Sequence, residues 1–160
     1  MTVNIGDKAP DFTLAGTGGK DITLSNYKGQ IVVMYFYPRD DTPGCTKQAC
    51  SFSDNFNALK KLNVAVIGIS KDSVKSHEKF KEKYGLNFDL GADTEKTVID
   101  AFGSWVEKSM YGKKYMGINR DTFLIDEQGI IRHIWRKVKV EGHTEEVLTE
   151  IEKLKNQKAA

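Results

Sequence analysis

The sequence predicts an α/β fold in which a central mixed sheet is flanked by helices. Two short apolar runs rich in β-branched residues, Ile31–Phe36 and Val64–Ser70, indicate buried central strands. Segments with helical periodicity and capping residues follow both runs, which is the alternation typical of this class. With 160 residues, of which 39% are hydrophobic and 29% charged, the chain fits a single globular domain over residues 1–160.

An added β-hairpin is predicted at the N-terminus, over residues 11–24. Apolar residues alternate with polar ones on both sides of a glycine-rich centre, GTGGK (Phe12, Leu14, Ile22, Leu24). A phosphate loop is the alternative for this segment, but its G-x-x-x-x-G-K-S/T pattern requires a serine or threonine after the lysine. Here Lys20 is followed by Asp21 and a second strand, so the hairpin is the favoured interpretation.

The crossover between the two central strands is predicted to be a helix over residues 43–61. Thr42 suits the N-cap, and Pro43 suits the first helical position. The apolar residues Phe52, Phe56 and Leu59 follow at spacings of four and three, as on one face of a helix. A second helix is expected over residues 73–84.

The second helix is predicted to end at Gly85. A third helix is expected to run to Phe102, with Asp93 or Thr94 as its N-cap. Residues 103–119 show no clear period and are predicted to form a long loop. The segments DTFLID and IIRHIWRKV on either side of EQG indicate another hairpin, and residues 144–156 an amphipathic helix. This order is close to a thioredoxin-like fold with an added N-terminal hairpin.

Composition excludes several classes of partner. The net charge is +2, from 24 basic and 22 acidic residues spread along the chain, so no broad field attracts nucleic acid or anionic lipid. The basic and aromatic run RHIWRKVKV is interpreted as a solvated strand face rather than a nucleic-acid surface. The first residues lack the pattern of a signal peptide, and no apolar run could span a membrane. A soluble, cytoplasmic protein is therefore expected.

The only two cysteines, Cys45 and Cys50, lie in one short segment directly after the first central strand. With Thr42 as the N-cap, Cys45 falls in the first helical turn, where unpaired N–H groups and the helix dipole favour an anion such as a thiolate. The carboxyl end of a sheet is also where α/β sites usually form. The alternative is that Cys45 is a small buried apolar residue.

Five residues along a regular helix correspond to a rise of about 7.5 Å and a rotation of about 140°, which would put the two Cα atoms about 8.7 Å apart. A disulfide rarely tolerates more than about 7 Å. Either the two thiols never form a disulfide, or the helix between them unwinds when they do. Cys50 as an ordinary buried helix residue also stays open as an alternative. No metal site is expected, because the three histidines are scattered singly (His77, His133, His143).

Several short motifs of the sequence resemble those of a known family. The stretch PRDDTPGC resembles the Pro-x-x-x-Thr-x-x-Cys signature of the peroxiredoxins, as Pro38, Thr42 and Cys45. CTKQAC is similar to the cysteine pair of the peroxiredoxin Q group, also called bacterioferritin comigratory proteins. GDKAPDFTL and GCTKQACSF resemble further segments of that group, and NRDTFLID resembles the strand that carries its active-site arginine, here Arg120.

That resemblance implies a peroxiredoxin-type fold and a thiol-dependent peroxidase that reduces hydrogen peroxide and organic hydroperoxides. By it, Cys45 is the peroxidatic cysteine that becomes a sulfenic acid, and Cys50 is the resolving cysteine that forms an intramolecular disulfide with it. Pro38, Thr42 and Arg120 complete the implied site. Thioredoxin or a similar dithiol protein is the implied reductant, no cofactor is needed, and a monomer suffices.

One departure from the resemblance is Gln48, where many members have glutamate; we expect it to tune the helix without loss of activity. Two other functions remain open from the residues alone. A thioredoxin-like thiol–disulfide oxidoreductase would act on protein disulfides and be indifferent to Arg120. A non-catalytic holdase or redox-sensing protein would be oxidised slowly and without turnover.

Overall fold

The structure is a computed structural model, in which residues 3–159 are described. Within that range the chain forms nine strands and five α-helices. In chain order these are β1 (Thr13–Gly16), β2 (Asp21–Thr23), β3 (Ile31–Phe36), α1 (Pro43–Asp54), α2 (Phe56–Lys61), β4 (Val64–Ser70), α3 (Val74–Tyr84), β5 (Asp89–Ala92), α4 (Thr97–Ala101), β6 (Trp105–Met110), β7 (Lys113–Ile118), β8 (Asp121–Ile125), β9 (Ile131–Trp135) and α5 (His143–Ala159).

The strands form a seven-stranded mixed sheet and a separate two-stranded hairpin. The strand order of the large sheet is β2-β1-β5-β4-β3-β8-β9, and β6 pairs only with β7. Strands β3, β4 and β5 are parallel, whereas β8 runs antiparallel to β3 and β9 antiparallel to β8. The carboxyl end of β3 therefore meets the beginning of β8, because Phe36 pairs with Asp121.

Strand β3 divides the hydrophobic core into two layers. All six of its residues are buried, and successive side chains point to opposite faces of the sheet. Val33 and Tyr35 pack with residues of α1, α3 and α5 on one face. Met34 and Phe36 pack with residues of α4 on the other. The prediction of a mixed sheet with helices on both faces is confirmed.

Most of the predicted elements are also confirmed. The two central strands have the predicted bounds, and the N-terminal hairpin and the β8–β9 hairpin both form. Ser73 caps α3 by accepting a hydrogen bond from the Ser76 N–H at 3.1 Å. Gly85 ends α3 with a φ of 61°, a left-handed conformation that glycine adopts without strain. The final helix forms, although it begins at His143 and is longer than predicted.

The predicted helix over residues 43–61 is two helices, because the chain breaks at Asn55. The Asn55 side-chain amide donates to the Ser51 carbonyl at 2.9 Å, next to the bonds that its own backbone N–H makes. Such local side-chain bonds compete with helical geometry. The predicted helix starting near Asp93 begins only at Thr97, although the Asp93 carboxylate does accept from the Ile99 N–H at 2.8 Å.

The predicted loop over residues 103–119 is wrong, because the chain forms the β6–β7 hairpin there. Its strands are joined by Tyr111 and Gly112, with φ values of 53° and 79°, as a two-residue hairpin turn requires. Most of its side chains are at least partly exposed, so no buried face leaves an alternating pattern in the sequence. Strand β5 also had no counterpart in the prediction. No described helix is both long and apolar enough to cross a membrane.

Candidate active site

The loop from β3 to α1 positions the two cysteines at the carboxyl end of the central strands. The structure places Thr42 at the N-cap and Pro43 in the first helical turn, as predicted. Cys45 follows in that turn and is 2% exposed, within the core layer beneath α1. The first turn of α1 therefore presents the unpaired N–H groups of a helix start close to a buried sulfur.

Arg120 reaches the same place from the strand beside β3. It directly precedes β8, whose first residue pairs with the last residue of β3. Its Nη2 donates to Cys45 Sγ at 3.4 Å. Gly44 allows this approach, because a Cβ at that position would lie only 3.2 Å from Nη2. The guanidinium is permanently charged, so a cation contacts the sulfur directly.

Gln48 holds Arg120 in this position. The Arg120 Nη1 donates to Gln48 Oε1 at 2.7 Å, and Gln48 is 1% exposed. The Gln48 Nε2 has no hydrogen-bond partner among the described residues, so the side-chain amide bonds only the guanidinium within that part of the chain. The effect of Gln48 on activity stays a prediction, but the structure adds a contact that the sequence did not suggest: one turn after Cys45, its side chain accepts from the arginine.

Thr42 makes a different hydrogen bond from the expected one. Its side chain does not cap α1; instead Oγ1 donates to the Arg39 carbonyl at 2.9 Å. The hydroxyl proton is thus engaged within the loop, and the oxygen's lone pairs remain to accept a hydrogen bond from a bound molecule. Pro38 lies half-buried at the start of the same loop.

Cys50 lies within the same continuous helix as Cys45, and both cysteines are free thiols. Cys50 is half-buried. Burial raises the pKa of the Cys50 thiol, and the negative charge of Asp54 one turn further along raises it again. With α1 intact, the five-residue spacing keeps the two Cα atoms about 8.7 Å apart. In this continuous helix Cys50 therefore does not reach Cys45.

A buried polar network anchors the active-site loop, and sequence reasoning did not find it. Asp40 Oδ1 accepts from the Tyr37 hydroxyl at 2.5 Å, and Asp40 Oδ2 lies 2.7 Å from His77 Nδ1. His77 Nε2 in turn lies 2.9 Å from the Gly91 carbonyl oxygen. The loop is thereby tied to α3 and β5. An isolated histidine in a helical pattern gives no signal of such a role.

Asp40, His77 and Asp72 are also close enough together to resemble a metal site. Their ligand atoms lie within 4.8 Å of one another. These atoms already have partners, however: Ser76 Oγ donates to Asp40 Oδ2 at 2.8 Å, and Asp72 Oδ2 accepts from the Asp40 N–H at 2.8 Å. Hydrogen bonding within the loop accounts for the cluster, and we assign it a structural role.

Taken together, the site joins a thiol in a helix's first turn, a charged arginine on its sulfur and a second thiol five residues away. The AhpC/TSA family model matches residues 5–134, which include every one of these groups. The chain belongs to the peroxiredoxin (AhpC/TSA) family. Two relatives are the Bcp peroxiredoxins of Bacillus subtilis strain 168 and Escherichia coli strain K12. The first is 50% identical over 92% of this chain and 94% of its own length. The second is 46% identical over 89% and 92%, respectively.

Solved structures agree with this assignment to the peroxiredoxins. A bacterioferritin comigratory protein of Xanthomonas campestris, described for its alkyl peroxide reduction activity, matches with a TM-score of 0.85 at 40% identity, over 88% of this chain and 90% of its own. A cysteine-to-serine variant of peroxiredoxin Q from Xylella fastidiosa matches with a TM-score of 0.90 at 40% identity, over 95% and 97%. The predicted peroxiredoxin-type, thioredoxin-like fold is confirmed, and the protein is a thiol peroxidase.

Proposed function

We propose that this peroxiredoxin reduces hydrogen peroxide and organic hydroperoxides through a Cys45 sulfenic acid and an intramolecular Cys45–Cys50 disulfide. The observation that carries the proposal is the contact of Arg120 Nη2 with Cys45 Sγ at 3.4 Å in the first turn of α1. The alkyl peroxide reduction described for the Xanthomonas campestris relative supports the inclusion of organic hydroperoxides. A dithiol protein, thioredoxin or one like it, then reduces the disulfide.

The arginine is needed because ionisation alone accelerates the reaction too little. Full ionisation of an ordinary thiol increases the thiolate at pH 7 by only about thirtyfold. Enzymes commonly exceed about 10⁶-fold. The larger part must come from donors aimed at the charge that develops on the two peroxide oxygens. Arg120 offers several N–H groups and can hold the sulfur and the peroxide together.

The roles of the loop residues follow from their positions. With its proton donated to the Arg39 carbonyl, the Thr42 oxygen can accept a hydrogen bond from the O–H of a hydroperoxide and orient it. Pro38 begins the loop and shields the site from water. Asp40 keeps the loop in place through its bonds to Tyr37 and His77.

Resolution requires α1 to open. Cys45 Sγ, once oxidised to sulfenic acid, is attacked by the Cys50 thiolate; an S–S bond forms and hydroxide leaves as water after protonation. In the folded helix Cys50 is out of reach, and burial and the charge of Asp54 raise the pKa of its thiol. Unwinding between the two cysteines brings Cys50 within reach and relieves the burial of its thiol. Because both cysteines belong to one chain, a monomer is sufficient, and the dithiol chemistry fits a reducing compartment such as the cytoplasm.

The test is peroxide consumption by the wild type, Cys45→Ser and Arg120→Ala, with and without a thioredoxin system. We expect the wild type to consume one equivalent without reductant and to turn over with it. Cys45→Ser should be inactive, and Arg120→Ala should be slowed strongly. A thiol–disulfide oxidoreductase would instead retain its activity in Arg120→Ala, and turnover by Cys45→Ser would contradict the assigned role of Cys45.

A further inference from the structure

The β6–β7 hairpin, which adjoins the cysteine site at its base, carries a lysine. Strand β7 ends at Ile118, two residues before Arg120, so the base of the hairpin adjoins the site. Lys108 of β6 pairs with Tyr115 of β7, but its side chain leans toward the base and lies across Gly117. A Cβ at Gly117 would be 3.2 Å from Lys108 Cδ and 3.6 Å from Cε. The absence of a side chain at Gly117 therefore leaves room for the lysine to point toward Arg120.

The Lys108 ammonium is half-buried and unpaired. None of the described residues forms a hydrogen bond or an ion pair with it. Burial lowers the pKa of Lys108, and the positive charge of Arg120 lowers it further, while Asp121 and Cys45 act in the opposite direction. The Asp121 carboxylate is already bonded to Arg136 at 2.8 Å. Lys108 thus holds a proton that it can release more easily than an ordinary lysine.

Tyr115, opposite Lys108, and the exposed Lys113 lie on the same face of the hairpin, according to the strand register. Lys113 adds a further positive charge to this face, and no carboxylate accompanies it there. The groups facing Lys108 are therefore the cation Arg120, the phenol of Tyr115, the engaged carboxylate of Asp121, and Cys45, with the cation Lys113 further along the same face of the hairpin.

The peroxidase reaction needs a proton at this place. When a thiolate attacks the O–H oxygen of a hydroperoxide, the O–O bond breaks and the other oxygen departs with the electron pair. Hydroxide or an alkoxide is a poor leaving group, since water itself has a pKa of about 15.7. Protonation of the departing oxygen by a positioned acid typically contributes about 10²- to 10⁴-fold.

The other proton-bearing groups around the loop are unsuited to this step. Arg120 does not lose its proton in proteins. The Thr42 hydroxyl donates to the Arg39 carbonyl. Tyr35 is fully buried, and burial raises its pKa well above the ordinary value. His77 is fully buried and bonded at both ring nitrogens.

We propose that Lys108 is a further catalytic residue, whose ammonium donates a proton to the oxygen that leaves when Cys45 attacks a hydroperoxide. The proposal rests on the peroxidase function assigned to Cys45 above. The Cys45 sulfur forms a bond to the O–H oxygen and is oxidised to the sulfenic acid. The O–O bond breaks, the departing oxygen takes the Lys108 proton and leaves as water or alcohol, and the Lys108 amine regains a proton from solvent.

Single-turnover oxidation of Lys108→Met and Lys108→Arg tests the proposal. Lys108→Arg keeps the charge but cannot give up a proton. With hydrogen peroxide and with tert-butyl hydroperoxide at pH 7, we expect both variants to react about 10²-fold more slowly than the wild type. With peracetic acid, both should stay within about threefold of the wild type, because acetate leaves without protonation.

Lys113→Met is the matched control, since Lys113 lies on the same hairpin face but further from the site, and it should react like the wild type. A Lys108→Arg variant with the wild-type rate would show that only charge matters and would overturn the proposal. An equal loss with peracetic acid would do the same, because it would indicate binding or folding. A wild type that no peroxide oxidises would overturn the proposed function itself.

Discussion

The contact between Gln48 and Arg120 predicts that a buried amide outside the sequence signature controls the rate of peroxide reduction. Gln48→Leu keeps the size and burial of the side chain but removes the oxygen that accepts from Arg120 Nη1 at 2.7 Å. A hydrogen bond to a charged group contributes about 1.5 to 3 kcal/mol. If that energy serves to orient the guanidinium, its loss slows the reaction by about 10- to 150-fold, at 1.36 kcal/mol per tenfold.

The assay is the second-order rate of Cys45 oxidation by hydrogen peroxide, followed by stopped-flow fluorescence. Gln128→Leu is the control, because Gln128 is exposed in the turn between β8 and β9 at the far end of the sheet. The control should react like the wild type. Circular dichroism establishes that both variants are folded.

A double-mutant cycle separates orientation of the arginine from a general effect of Gln48 on the helix. If Gln48 acts through Arg120, then Gln48→Leu should cost less than about threefold in an Arg120→Ala background, because no guanidinium remains to be held. A further tenfold loss in that background would refute the reasoning. It would restore the expectation that Gln48 acts on the helix alone.

Three further predictions concern the other groups of the site. Arg120→Ala and Thr42→Val should each slow peroxide reduction by about 10²-fold or more. Arg132→Ala, in β9 beside the far end of β8, should not. Near-normal rates in the first two variants would contradict their roles. Asp54→Asn should lower the pKa of the Cys50 thiol and speed disulfide formation at pH 7 by about twofold. Rapid-quench mass spectrometry can measure this rate, and a slower step would contradict the sign of the interaction between Asp54 and Cys50. Amide hydrogens over residues 45–56 should exchange faster in the disulfide form than in the reduced form. The reason is that opening the helix breaks backbone hydrogen bonds worth about 1 kcal/mol each. Equal protection of this segment in both forms would exclude unwinding.

The sequence predicted those parts of the site that depend on local signals. Thr42, Pro43 and Cys45 could be placed at a helix start because capping preferences act within a few residues. Arg120 lies 75 residues after Cys45 and was assigned through the family resemblance alone. The structure supplies the physical reason for its position, which is the antiparallel pairing of β8 with β3.

The remaining features depend on contacts that one sequence does not display. The β6–β7 hairpin was predicted to be a loop because most of its side chains are at least partly exposed, so its strands lack an alternating apolar pattern. Gln48 has the same appearance as any polar helix residue until the position of Arg120 is known. The pairing of Asp40 with His77 joins two residues 37 positions apart, and no spacing rule connects them.

The most direct test of the account is mass spectrometry of the protein after one equivalent of hydrogen peroxide. The wild type should contain a disulfide between Cys45 and Cys50 of the same chain. Cys50→Ser should carry a sulfenic acid on Cys45, trapped with dimedone, and Cys45→Ser should remain unmodified. A disulfide that forms only between chains, or a sulfenic acid on Cys50 in place of Cys45, would contradict the account.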